Sequence, residues 1–300
     1  MDQFIDIESR ENFNRARLRE TFSRIINSLT PHKTALLSLQ EVRDLVQPRG
    51  ESYRGLKAVP VDRIVGSEGR YRDFSKGFLP RHGYLRSRWT SVDRAHLQDI
   101  ILPPITLYEI GGVYFVRDGN HRVSVARAQG VKEIDAEVVS LASQISIEPG
   151  WTRPQLLEAV VNYEKEQFYR RTQFDKLIPG YDLQFTAPGR YDEVLQHIYG
   201  HKYFINLSRS EEIPFEQAMI SWYENVFRPI VDIVASEKLM ARFPGRTAAD
   251  LYVWTVRHWH SLKLKYGEHY QITDAVRDFS QQFGQGLWKR ITSFFKGKGA

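Results

Sequence analysis

The chain contains no cysteine among its 300 residues. This absence excludes disulfide bonds, thiolate metal sites and cysteine nucleophiles. Two other patterns are missing as well: no apolar run is long enough to span a bilayer, and the first residues do not form a signal peptide. We therefore expect a cytoplasmic protein that is not held together by cross-links.

Apolar residues, in contrast, are plentiful. Hydrophobic residues make up 42% of the chain and aromatic residues 13%. This is enough material for a sizeable core, so the composition argues against a disordered chain. The length suits one large domain or two of modest size.

Positive charge is concentrated in residues 54–94. The whole chain has a net charge of +6, and this segment alone has an excess of six. Its ten basic residues (Arg54, Lys57, Arg63, Arg70, Arg72, Lys76, Arg81, Arg86, Arg88, Arg94) accompany four acidic ones (Asp62, Glu68, Asp73, Asp93). Such a concentration suits nucleotide phosphates, nucleic acid or an anionic membrane surface. A solvated loop with incidental arginines is the alternative.

Turn signals and apolar periodicity divide the chain into four parts of an α+β protein. We expect an N-terminal helical arm at 1–54, a small mixed sheet with helices at 55–147, a helical domain at 148–285 and a basic amphipathic tail at 286–300. In the arm, Leu18 and Phe22 are expected on the apolar face of a helix. The helices of the third part are expected at about 155–175, 190–200, 214–235, 247–266 and 271–283.

Within the second part the pattern predicts four strands and two helices. The strands are expected at 56–65, 102–110, 113–118 and 134–139, with a hairpin at Gly111-Gly112 between the second and third. Because its prolines cannot donate to a ladder, the strand at 102–110 is expected at a sheet edge. One helix is expected at 91–98, capped by Ser91, and the other follows Gly119.

The turn Asp118-Gly-Asn-His-Arg122 has more residues of the types found in binding sites (Asp, Asn, His and Arg) than a helix cap requires. It lies between an apolar strand and a helix, and a helix start offers unpaired N–H groups and a positive dipole end. Arg122 adds a fork of donors suited to phosphate. The turn therefore predicts a site for a phosphate-bearing ligand. An ordinary strand-to-helix turn, with Asn120 as the N-cap and Arg122 solvated, is the alternative.

Residues Val59-Pro-Val-Asp-Arg-Ile64, followed by the turn 118–122 and by Gly130, resemble the ParB/sulfiredoxin superfamily. The resemblance covers residues 56–140 and implies a ParB/sulfiredoxin-like mixed sheet whose turn contacts nucleotide phosphates. Sulfiredoxins place a cysteine where this chain has Asn120, so their sulfinic acid chemistry is excluded. Partition-type ParB proteins use a different turn and a helix-turn-helix domain, which we do not recognise after Gly150.

Free-serine kinases of the same fold have the most similar turn. That resemblance implies Mg²⁺-dependent phosphoryl chemistry with ATP, ADP or CTP, either transfer to a small hydroxyl substrate or nucleotide hydrolysis. By its spacing Glu68 corresponds to the family's general base, although a lone loop glutamate is more often a plain turn residue. The resemblance assigns the other roles as follows: Asp118 to Mg²⁺ or substrate, Gly119, Asn120 and Arg122 to phosphate, His121 to phosphate or transition-state donation, and Arg70 and Arg72 to further phosphate contacts.

Two alternatives to an enzyme remain. The chain is either a ParB-like DNA-binding or regulatory protein that uses the nucleotide site as a switch, or an interaction scaffold recruited to a membrane. A homodimer is compatible with both. The membrane alternative rests on residues 287–298, where aromatic and basic residues recur at helical spacing. The segment 243–254 also resembles a helical domain of uncharacterised bacterial proteins, which implies an architecture without an activity.

Histidine pairs in the third part are weak candidates for a metal site. His258 and His260 are two residues apart and face different sides of a helix, and Gly200 interrupts the turn between His197 and His201. We expect these side chains to be structural. Thr247, followed by Asp250, is expected to cap the helix that begins there.

Overall fold

The structure, a computed structural model, describes residues 2–26, 36–266 and 278. The chain divides into two compact units, Met1–Ala159 and Val160–Ala300. The tail expected at 286–300 lies outside the described residues, as does the helix expected at 271–283 except for one residue. None of the helices in the described ranges combines the length and the hydropathy needed to cross a membrane.

The first unit contains a six-stranded mixed sheet and four α-helices within its described residues. In chain order its elements are α1 (Asp2–Ile26), β1 (Leu37–Ser38), α2 (Leu39–Val46), β2 (Glu51–Pro60), β3 (Ile64–Ser67), α3 (Arg86–Leu97), β4 (Ile105–Ile110), β5 (Val113–Asp118), α4 (Asn120–Ala128) and β6 (Glu133–Leu141). Short 3₁₀ turns occupy Val61–Arg63 and Gly83–Leu85. This arrangement confirms the α+β fold class.

The sheet has the strand order β1-β3-β5-β4-β6-β2. Strand β3 pairs in parallel with β1 on one side and with β5 on the other. Strand β4 is antiparallel to β5, and β2 is antiparallel to β6. Because β3 and β5 are parallel, their carboxyl ends lie at the same end of the sheet. At Gly66 the strands pack so closely that a β-carbon would lie 2.3 Å from the carbonyl oxygen of Leu37.

Several expected elements of this unit differ from the observed ones. The strand expected at 56–65 is two strands separated by a 3₁₀ turn, since Pro60 cannot donate to a ladder. The expectation that 102–110 is an edge strand was wrong, because Pro103 and Pro104 precede β4 and leave its own residues free to pair on both sides. Helix α3 begins five residues before Ser91, which lies inside it. The hairpin between β4 and β5 is confirmed.

Helix α1 has two apolar faces, and the one that packs is not the one that contains Leu18 and Phe22. Phe13 and Ala16 are buried against the rest of the unit, whereas Leu18 and Phe22 are exposed. Phe13 meets Trp89 of α3 edge to face, with ring centroids 5.6 Å apart. Leu18 and Phe22 do share one face of the helix, as expected, but that face is exposed.

The second unit is helical in its described residues. Its elements are α5 (Arg153–Thr172, beginning in the first unit), α6 (Phe174–Leu177), α7 (Arg190–Asn206), α8 (Phe215–Trp222), α9 (Arg228–Ser236), α10 (Leu239–Arg242) and α11 (Ala248–Tyr266). A five-residue π-turn, Tyr223–Phe227, joins α8 to α9 where a single helix was expected. Pro229 accounts for this interruption because it cannot donate an i→i−4 hydrogen bond.

A local structure occurs twice in the second unit, although the sequence showed no repeat. Gln173 and Lys238 both have left-handed backbones (φ 51° and 54°), and each precedes a four-residue helix. The residues after these helices, Ile178 and Phe243, have nearly identical angles (φ −127°, ψ 68° and φ −126°, ψ 68°), and a Pro-Gly pair follows both. Only the Pro-Gly pair is shared in sequence, so the backbone reveals the repeat.

The expected cap at Thr247 is confirmed. Its N–H donates to Oδ2 of Asp250 (3.0 Å), and the N–H of Asp250 donates to Oγ1 of Thr247 (3.1 Å). Asp250 is buried and also accepts hydrogen bonds from the N–H and hydroxyl of Thr186. The carboxylate thus joins the start of α11 to the loop before α7.

Candidate functional site

The turn between β5 and α4 depends on Gly119. Its φ of +105° is a left-handed conformation, and a β-carbon would lie 2.4 Å from Cγ2 of Ile105. No other residue type satisfies both conditions. Helix α4 begins at the next residue, Asn120, so Gly119 rather than Asn120 is the N-cap. The N–H groups of the first helical turn have no acceptor within the helix.

Two buried polar atoms at this helix start have no hydrogen-bond partner. They are Oδ1 of Asn120 and Nδ1 of His121. Only 8% of Asn120 is exposed. Since an unpaired polar atom is costly to bury, the two atoms mark a place where a ligand can supply the missing partners.

Basic side chains surround the His121 imidazole. Burial, together with the positive charges of Arg70 and Arg88, lowers the pKa of His121 to about 4, whereas the negative charge of Asp73 opposes this shift. The ring also meets the edge of Phe74, with ring centroids 5.5 Å apart. His121 is therefore neutral at pH 7, with one ring nitrogen a donor and the other an acceptor.

Arg122 contacts protein groups on both sides of the turn. Its Nη2 lies 2.5 Å from Oδ2 of Asp118, and its Nη1 donates to the carbonyl oxygens of Pro103 and Pro104. The Arg122 side chain is 17% exposed, whereas that of Asp118 is 75% exposed. Arg122 therefore stabilises the turn through these contacts. Of the two charged groups in the ion pair, the Asp118 carboxylate is the one exposed to solvent.

Glu68 follows β3 at the edge of the sheet from which the turn also leaves. Its backbone N–H donates to the carbonyl oxygen of Val116 (2.9 Å), and its side chain is exposed. The neighbouring Ser67 hydroxyl donates to the same carbonyl and accepts the N–H of Arg70. The parallel pairing of β3 and β5 therefore places Glu68 and Asp118 at one sheet edge.

The loop after Glu68 is held by its own polar contacts. Nη1 of Arg70 lies 3.6 Å from a carboxylate oxygen of Asp73, and the Tyr84 hydroxyl donates to the other oxygen (2.6 Å). Arg72 is exposed and lies over the ring of Tyr71. The structure thus brings Arg70 to His121, and it shows Arg72 only in this contact with a tyrosine.

Sequence reasoning missed two neighbours of His121. Arg88 was counted only among the basic residues of the segment 54–94, and Phe74 was not singled out. Arg88 lies on α3, whose expected start at Ser91 left this residue outside a helix. A prediction that α3 begins before Ser91 would have placed Arg88 on this helix. The concentration of basic residues at 54–94 was the sequence feature that could have drawn attention to Arg88.

Three histidines of the second unit form structural contacts. Nδ1 of His197 lies 3.1 Å from the hydroxyl of Tyr252, and Nε2 of His201 lies 3.0 Å from that of Ser221. Nε2 of His258 lies 2.7 Å from the carboxylate of Asp278. Across the described part of the chain no three His, Asp or Glu side chains are grouped as metal ligands.

Comparisons with known proteins assign no family. No family profile matches the chain, and no curated protein does. Among solved structures the chain is similar to two of the pNOB8-like ParB N-domain. The first is 10% identical, with a TM-score of 0.23, and covers 81% of this chain and 99% of that domain. The second is 11% identical, with a TM-score of 0.22, and covers 74% and 82%. Likenesses at these scores share too little geometry to establish a family.

Proposed function

We propose that the first unit is a ParB/sulfiredoxin-like module that binds a nucleotide through its phosphates at the start of α4. The observation that carries the proposal is the pair of buried, unpartnered atoms, Oδ1 of Asn120 and Nδ1 of His121, on one helical turn. A nucleotide has both hydrogen-bond acceptors in its phosphates and donors in its ribose hydroxyls. Such a ligand can satisfy an amide and a neutral imidazole together.

The charges around the turn favour an anionic ligand. The helix start has a partial positive charge, and Arg70 and Arg88 face the same imidazole. These two arginines add positive potential without the large desolvation cost of burial, since both are exposed. Arg122 supports the turn indirectly, by fixing Asp118 and the residues before β4.

We further propose phosphoryl transfer at this site. The exposed carboxylate of Asp118 is a hard oxygen ligand of the type that Mg²⁺ uses together with nucleotide phosphates, and the ion neutralises charge on the transferring group. Glu68 takes the proton from a small hydroxyl substrate. The hydroxyl oxygen then bonds to the terminal phosphorus as the bond to the bridging oxygen breaks, and the nucleotide leaves one phosphate shorter. When water is the acceptor, the same step is nucleotide hydrolysis.

A second candidate function is a nucleotide-dependent switch that controls binding of nucleic acid, without metabolic catalysis. The basic segment 54–94 favours it. Some of its arginines have protein partners: Arg81 pairs with Glu20, and Arg86 donates to Asn14. Exposed basic side chains remain at Arg54 and Lys57 on β2 and at Arg88 on α3. Binding of nucleic acid through them falls steeply with added salt.

Calorimetric titration of the full chain tests nucleotide binding. ATP, ADP, CTP and GTP are each titrated with Mg²⁺, and inorganic phosphate serves as the minimal ligand. We expect one or more nucleotides to bind, and Arg88→Gln to weaken that binding by about tenfold, the loss of one charged contact. Arg54→Gln removes an equally exposed charge on β2 and is expected to leave the affinity unchanged. If no nucleotide binds, or if the two variants behave alike, the proposal is wrong.

Turnover of the nucleotide that binds separates the enzyme from the switch. We expect Glu68→Gln to lower phosphate transfer or release at least a hundredfold, since a general base contributes about 10²–10⁴. Its calorimetric affinity should match that of the unaltered chain. Glu41→Gln, an exposed carboxylate on α2, is the matched control. Binding without turnover in the unaltered chain would support the switch instead.

A further inference from the structure

Helix α1 has an exposed apolar stripe on the side opposite its packed face. Phe4 is 78% exposed, Ile7 53%, Leu18 58% and Phe22 63%. The packed face consists of Ser9, Phe13, Ala16 and Glu20, which are all buried. Four large apolar side chains on one stripe of a helix are more than an ordinary solvent-facing surface requires.

The exposed stripe is nearly symmetric along the helix, with its apolar residues three positions apart at one end and four at the other. Phe4 and Ile7 lie at one end, Leu18 and Phe22 at the other, and an ion pair occupies the middle, with Nη2 of Arg15 3.5 Å from the carboxylate of Glu11. Positions 4, 11 and 18 are seven residues apart, as are 15 and 22, which is the spacing of a coiled-coil seam.

We propose that α1 is the interface between two copies of this chain, with the two helices antiparallel about a two-fold axis. This orientation places Phe4 against Phe22 of the second copy and Ile7 within one residue of the level of Leu18 of the second copy. It also places Glu11 against Arg15 of the second copy. Each of these contacts thus pairs an apolar residue with an apolar residue or an acidic residue with a basic one, as a self-complementary interface requires.

Charge excludes the parallel orientation. Parallel helices in register would set Glu11 against Glu11 and Arg15 against Arg15. Two exposed residues beside the seam follow the same rule, because Glu8 lies in the first half of α1 and Arg19 in the second. Only the antiparallel orientation brings acidic and basic halves together.

Cross-linking of single-cysteine variants tests the orientation, and the cysteine-free chain is a clean background for it. A mixture of Phe4→Cys and Phe22→Cys is expected to form a covalent dimer under mild oxidation. Neither variant alone should do so, because like positions lie about 27 Å apart in the antiparallel pair, far beyond the reach of a disulfide. Cross-linking of either variant with itself, and not in the mixture, would overturn the orientation.

Mass measurement in solution, by light scattering after gel filtration, tests the dimer itself. The full chain is expected at about twice its 35.0 kDa. Leu18→Glu should yield monomer, whereas Leu56→Glu, which alters an equally exposed leucine on β2, should remain dimeric. Circular dichroism establishes that each variant is folded.

Charge reversal distinguishes this interface from packing of the stripe within one chain. Glu11→Arg alone and Arg15→Glu alone should each weaken the dimer at least tenfold, and the double variant should restore it, because the two positions face each other across the axis. A monomeric unaltered chain, or a double variant no better than the single ones, would overturn the proposal. Nucleotide binding by the monomeric Leu18→Glu variant would show that the two proposals stand separately.

Discussion

Gly119 has a left-handed backbone, and a β-carbon there would overlap Ile105. Gly119→Ala is therefore expected to cost about 3 kcal/mol of unfolding free energy, from backbone strain and overpacking together. Gly130 is the matched control, since its φ is +75° but nothing lies within 4 Å of its β-carbon position. Gly130→Ala should cost only about 1 kcal/mol, the strain alone. Urea unfolding measures both, and equal costs would show that the contact with Ile105 is unimportant.

Single residues of the turn were partly predictable from the sequence. Gly119 is recognisable because an Asp-Gly pair between a strand and a helix favours a positive φ. The partners of Arg122 were not predictable, because Pro103 and Pro104 are about twenty residues away and meet it only through the pairing of β4 with β5. The same holds for the low pKa of His121, which depends on burial and on charges from two other segments.

At the scale of elements, a buried hydrogen-bond chain joins α3, α4 and the loop before α3. Nε1 of Trp89 donates to Oγ of Ser124 (2.9 Å), and that hydroxyl donates to the carbonyl oxygen of Phe78 (2.5 Å). Trp89 and Ser124 are both fully buried. Because Arg88 precedes Trp89 and His121 lies one turn before Ser124, this chain sets the position of the two site residues relative to each other.

Ser124→Ala tests this link. The substitution leaves a buried indole N–H without an acceptor and is expected to cost about 1–3 kcal/mol of unfolding free energy. It should also weaken nucleotide binding, since α3 and α4 lose their fixed spacing. Ser91→Ala, an exposed hydroxyl on α3, is the control and should change neither quantity. An unchanged affinity in a destabilised Ser124→Ala protein would show that the link serves stability alone.

Elements with strong local signals were predicted well, and those set by tertiary packing were not. The β4–β5 hairpin follows from its two glycines, and α4 follows from the turn before it. The buried face of α1 is determined by its packing against Trp89 and the neighbours of Trp89. Apolar residues at helical spacing therefore indicated the exposed stripe as readily as the packed face. The place of β4 inside the sheet is likewise a property of topology.

For the whole molecule, the concentration of positive charge was visible in the sequence. The sequence did not show which of these residues form ion pairs within the protein and which lie near His121. Several arginines of the segment 54–94 have partners within the first unit, such as Arg81 with Glu20 and Arg94 with Asp6. Among the basic residues of this segment, Arg70 and Arg88 lower the pKa of His121. A charge count therefore predicts an anionic partner but not the site of its binding.

Binding of an anion at α4 and protonation of His121 are linked. In the protein without bound nucleotide, the pKa of His121 is about 4, because burial and two nearby cations disfavour the charged form of its imidazole. A bound phosphate adds negative charge beside the ring and raises that pKa. Between the free and the bound pKa the complex takes up a proton, so the affinity for nucleotide increases as the pH falls toward 4.

The most direct measurement is an NMR pH titration of the His121 imidazole in the full chain, with and without saturating nucleotide and Mg²⁺. The variant His121→Gln assigns the resonance among the nine histidines. We predict a pKa near 4 in the free protein and a clearly higher value in the complex, with His197, in the second unit, unaffected. An imidazole that titrates near 6.5 when free, or whose pKa does not change with nucleotide, would contradict a phosphate site at this turn.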